Sequence, residues 1–135
     1  MTGREDVLRG GWAGVRYGVL AFLAGAALGA VRELLLAPSI GGLPAALAEG
    51  AALAALLPLF ARGVLDRMPP RQGLPARAAI AAAGLVVVLL AEVALFLVFQ
   101  ASGIAEARAT RSPAELAVGP AVLLWFAALP LLMRR

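Results

Sequence analysis

Apolar residues fill four long stretches of the chain, and short polar or proline-rich links separate them. A helix needs about 20 mostly apolar residues to cross a bilayer. The pattern predicts four such helices, over roughly 12–36, 43–61, 76–100 and 112–133. The first is expected to stop before Pro38, because the residue ahead of a proline avoids the helical region. The second opens at Leu43-Pro44, where proline suits a first turn. The fourth opens on Ser112-Pro113-Ala114-Glu115, the pattern of a capping box. There Ser112 and Glu115 each serve a free backbone N–H at the helix start. Pro58, Pro120 and Pro130 are expected to kink the helices that contain them. The links, near 37–42, 62–75 and 101–111, are short. Short links predict that successive helices are antiparallel neighbours, so residues 1–135 read as a single transmembrane domain.

Composition identifies the solvent. The chain is 62% apolar and 15% charged, with a mean hydropathy of +0.92. An ordinary soluble domain is about half apolar and about a quarter charged. A small water-soluble fold buries too little of its surface to hide this much apolar area. The expected fold is therefore all-α, a four-helix bundle integral to a membrane.

Charge adds orientation. All 12 basic residues are Arg. The N-terminus, the middle link and the C-terminus share one side, with Arg4, Arg9, Arg16, Arg62, Arg67, Arg71, Arg77, Arg134 and Arg135. The other side has Arg32, Arg108 and Arg111. Nine against three favours both termini in the cytoplasm, where those Arg residues would meet anionic lipid head groups. A rival reading takes the Arg residues and the apolar run Val19 to Ala30 as a secretory signal peptide, which would leave three helices. A net charge of +4, scattered along the chain, is too small for a nucleic-acid surface. The chain has no Cys and no His. That removes thiol chemistry, the usual zinc sites and any His general base. The expectation is a protein that is not an enzyme and holds no cofactor or metal.

The candidate chemistry lies in the charges inside the spans. These are Arg32, Glu33, Glu49 and Glu92. Each costs roughly 2.5–3.5 kcal/mol on insertion scales, and such residues usually face the bundle interior. At about 1.5 Å per residue, Arg32 lies ~8 Å from the outer end of its helix, Glu49 ~10 Å and Glu92 ~13 Å. These similar depths predict one buried polar cluster of Arg32, Glu33, Glu49 and Glu92 in the outer half of the bilayer, unless Glu33, about 100° around the helix from Arg32, turns toward the outer interface. Gly25 and Gly29 form a GxxxG motif on the Arg32 face, and Gly84, Val88 and Glu92 form a stripe at spacing four. Both patterns predict close helix packing around the charges, and the GxxxG motif equally fits a dimer face. Trp12 and Tyr17 suit the inner interface as anchors. Trp125 suits packing or lipid contact, Gln100 and Ser102 the outer rim, and Asp66 solvent.

The run Phe22-x-x-Gly25-x-x-Leu28-Gly29-x-x-Arg32-x-Leu34-x-x-Ala37-Pro38-x-x-Gly41, with Ala45 to Glu49 and Ala91-Glu92, resembles a group of small bacterial four-helix inner-membrane proteins. The resemblance covers the first three helices and fades in the fourth. It implies the fold, a multi-pass place in the bacterial inner membrane, and motif residues Arg32, Pro38, Glu49 and Glu92. It implies no activity. Two readings of the cluster follow. In the first, Arg32 pairs with Glu49 or Glu92 to lock the helices of a structural or accessory subunit, in a homo-oligomer or with another membrane protein. In the second, Glu49 or Glu92 exchanges a proton or cation in a small transporter or channel.

Overall fold

The computed structural model describes residues 3–102 and 112–133, and all of its regular elements are helical. Helix α1 spans Gly3–Val31 and runs into a π-helical segment at Arg32–Leu36 and a short helix α2 at Ala37–Ile40. Helices α3 (Gly42–Leu65), α4 (Leu74–Ser102) and α5 (Pro113–Leu132) follow. Four helical runs are long and apolar enough to cross a membrane: Gly3–Ile40, Gly42–Leu65, Leu74–Ser102 and Pro113–Leu132. This is the architecture of a multi-pass membrane protein.

The helices are longer than expected at several ends, for local reasons. Helix α1 begins at Gly3 rather than near 12, with Glu5 and Asp6 in its first turn beside the positive end of the helix dipole. The run does not stop at Pro38. In an α-helix that ring would clash with the Leu34 carbonyl and leave it without a donor. Just ahead of it the chain widens into a π turn, in which the Ala37 N–H reaches back to the Arg32 carbonyl. Gly41, at φ 89°, then reverses the chain into α3. The capping serine is in place, since Ser112 Oγ accepts the Glu115 N–H at 3.3 Å. The link near 101–111 and the terminal Arg134 and Arg135 lie largely or wholly outside the described residues.

Helix adjacency differs from the expectation. Helix α1 packs on α3 and α4, and α5 packs on the same two, so α3 and α4 stand at opposite corners. The link between them carries Pro69 and Pro70 and is long enough to cross the diagonal. The closest seam is between α1 and α4, which run parallel. Gly10 faces the backbone of Ala76, Gly14 that of Ile80, and Gly18 that of Gly84. A Cβ on Gly18 would stand 2.7 Å from the Gly84 carbonyl oxygen. Glycine every fourth residue lets these two backbones touch, which gives the dispersion contact that holds helices together in lipid.

Tyr17 and Trp125 tie the bundle together in a way the sequence reading missed. Proline within a helix has no N–H for the carbonyl four residues earlier. Pro58 frees the Ala54 carbonyl, and Trp125 Nε1–H of α5 donates to it at 3.0 Å. Pro130 frees the Phe126 carbonyl, and the Tyr17 hydroxyl of α1 donates to it at 2.7 Å. Tyr17 is therefore a fully buried cross-bundle strut rather than an interfacial anchor. Its ring stacks on Phe126 with centroids 4.1 Å apart. Trp12 is 72% exposed, as an anchor would be.

Candidate functional site: the ion pairs at the π turn

The π turn presents Arg32 to α3. Its Nη1 lies 2.5 Å from Glu49 Oε2, and its Nη2 lies 2.8 Å from Glu33 Oε1. The side chains of Arg32 and Glu49 are 12% and 17% exposed, and that of Glu33 is 42% exposed. One guanidinium thus bridges a carboxylate on its own helical run and one across the seam. Its planar fork of donors suits this use. π turns recur at functional sites because the extra residue re-aims a side chain. Here Arg32 is the first residue of that turn. The Ser39 hydroxyl donates to the Leu35 carbonyl at 2.7 Å, which supports the backbone past Pro38.

Gly25 and Gly29 face α3, but neither sits in backbone contact with it. A Cβ on Gly25 would lie 3.7 Å from Leu53 Cδ2, and one on Gly29 would lie 3.4 Å from Glu49 Oε1. The two glycines leave room for side chains, with Gly29 making space for the Glu49 carboxylate. The tight glycine seam lies lower, at Gly10, Gly14 and Gly18. Gly84 belongs to that seam, and a Cβ there would stand 2.9 Å from Phe126 Cζ.

Glu92 does not join Arg32 and Glu49. It lies exposed on α4 and makes no ion pair with the described residues. Three geometrical facts account for this. Helix α4 is diagonal to α3, which carries Glu49. The offset along the α1–α4 seam puts Glu92 level with Ala26, six residues or ~9 Å short of Arg32. The stripe at spacing four also drifts by roughly 40° per step on a helix of about 3.6 residues per turn. Gly84 and Val88 are buried, and by Glu92 the stripe has turned out of the interface.

Glu115 enters the cap through its backbone N–H, which Ser112 Oγ accepts. Among the described residues no hydrogen bond from the Ser112 N–H to the Glu115 carboxylate is present, so the reciprocal half of the expected capping box is not formed. The Glu115 carboxylate lies against Gly42, in the space that a Cβ there would occupy. A carboxylate at that position lies near the positive dipole end of α3. Ser102 Oγ donates within α4 to the Val98 carbonyl at 3.0 Å, and Gln100 is exposed. Asp66 is exposed in the middle link.

Chemically, the Arg32 site is a compact arrangement of paired charges. Apart from it, the described core is apolar but for the Tyr17 hydroxyl, which donates to the Phe126 carbonyl, and no charged residue among the described residues is fully buried. The described residues contain no group of three His, Cys, Asp or Glu side chains placed to hold a metal ion. No family model, no curated protein and no solved structure matches this chain.

Proposed function

We propose that this chain is a non-enzymatic structural or accessory subunit of the bacterial inner membrane, oriented with both termini in the cytoplasm by its Arg bias. On this reading the Arg32–Glu49 pair locks α1 to α3 in the outer half of the bilayer, and the working surface is the outside of α4. The observation that carries the reading is the outward position of Glu92. The charges at Arg32 already have partners within the bundle. Glu92 stands on a helix whose span has a mean hydropathy of 2.7, and no residue of α4 beyond Val88 is buried. A carboxylate left in hydrocarbon is costly, and a polar or basic group on a partner helix would offset that cost. The partner is a second membrane protein or a second copy of this chain.

The test is photocrosslinking from Leu89 and Phe96, which flank Glu92 on its own face. Discrete protein adducts that disappear in Glu92→Leu support the reading. Adducts to lipid alone overturn it. Proton or cation flux in vesicles of the purified chain, lost in Glu92→Gln, would establish the transporter reading instead.

A further inference from the structure

A groove of about 910 Å³ opens at the end of the bundle that carries the N-terminus, between α1 and the link that follows α3. Arg9, Trp12 and Arg16 line it from one stripe of α1, at spacings of three and four, and Val19 and Leu20 continue that stripe. Arg67 faces them from the link. Three guanidiniums contribute to the wall, and no carboxylate does. Asp66 beside Arg67, and Glu5 and Asp6 ahead of Arg9, lie outside the lining.

We propose that this groove is a binding site for one anionic phospholipid. The site is independent of the surface around Glu92. The groove grades from polar to apolar along the direction a lipid requires. From Arg9 to Leu20 the helix rises ~16 Å, from charged residues to purely apolar ones. A phosphate is held at the Arg end, where Arg16 and Arg67 offer donors in a fixed fork that matches phosphate oxygens and Arg9 adds positive charge to the wall. Arg67 spends one donor on the Gly63 carbonyl at 3.2 Å and keeps others for the lipid. The acyl chains run along Val19 and Leu20. Trp12, exposed beside the groove, suits the head-group level, where amphipathic rings collect. Basic pockets between spanning helices are a recurrent way of holding anionic head groups.

The experiment measures lipid adducts on delipidated full-length protein by native mass spectrometry, with phosphatidylglycerol and phosphatidylcholine titrated in parallel. The expected result is a preference for phosphatidylglycerol that weakens as salt rises. The pair Arg16→Gln/Arg67→Gln should lower phosphatidylglycerol affinity by about 30-fold, at roughly a factor of five per Arg. Arg71→Gln, outside the groove, should leave it unchanged. If the double variant does not fold, each single variant is measured in its place. At constant ionic strength, inorganic phosphate should not displace the lipid, because it cannot occupy the apolar end. Equal binding of both lipids, a preference that survives loss of both Arg residues, or displacement by phosphate would overturn the proposal.

Discussion

Glu49→Gln and Glu92→Gln make the same change of atoms and should have different effects. Gln at 49 keeps the length and one acceptor oxygen but removes the charge opposite Arg32 Nη1, now 2.5 Å away. The Arg32 donor stays charged, so a bond to Gln persists, but one of the two charges that made the pair strong is gone. The expected loss is therefore about 1–2 kcal/mol. Arg32 keeps Glu33 as a partner, which limits the damage. Arg32→Met should cost more, about 2–3 kcal/mol, because it leaves Glu49 and Glu33 together without their cation. Full burial would raise that figure, but Glu33 is partly open to its surroundings. Glu92→Gln removes no bond within the bundle, so the isolated protein should be as stable as wild type or more so. The assay is unfolding by denaturing detergent in mixed micelles, followed by Trp125 fluorescence in a Trp12→Phe background, so that the signal reports the contact between α5 and α3. If Glu92→Gln costs as much as Glu49→Gln, Glu92 is bonded inside the bundle. If Glu49→Gln costs nothing, the ion pair does not hold α1 to α3. Either result refutes the reasoning.

Further outcomes follow from the packing. Tyr17→Phe keeps the ring stack and removes the donor to the Phe126 carbonyl, so it should destabilise by about 1–2 kcal/mol. In the background of Pro130→Ala, whose new N–H can serve that carbonyl, the same change should cost far less, as a double-mutant cycle would measure. Trp125→Phe should likewise cost about 1 kcal/mol or more alone and little beside Pro58→Ala, with unfolding by the same detergent followed by far-ultraviolet circular dichroism because the variant lacks the fluorescent reporter. Gly14→Ala should destabilise by about 1–3 kcal/mol, because its Cβ meets the backbone of Ile80, which cannot move aside alone. Gly25→Ala should be nearly neutral, since only the Leu53 side chain lies near, at 3.7 Å.

Hydropathy and length alone determined four helices long and apolar enough to span a membrane. Their number depends only on transfer from water to an apolar solvent, which each residue carries with it. That Arg32 and Glu49 stand at matching levels of neighbouring helices was also legible, because rise per residue is fixed along a helix. The same counting misled at Glu92, for depth says nothing about which corner a helix occupies or how it is rotated. In water, a buried stripe would have marked the inward face. A span with a mean hydropathy of 2.7 carries no such stripe, since lipid accepts apolar residues all round. Only the tertiary structure decided that α1 lies beside α4, through Gly10, Gly14 and Gly18, and that α3 lies across the diagonal. It also matched Tyr17 and Trp125 to the carbonyls freed by Pro130 and Pro58. The sequence does mark those carbonyls, four residues before each proline, as groups that a membrane interior cannot leave unpaired. Which donor reaches them depends on contacts between residues 71 and 109 positions apart in the chain, and those exist only once the helices have packed.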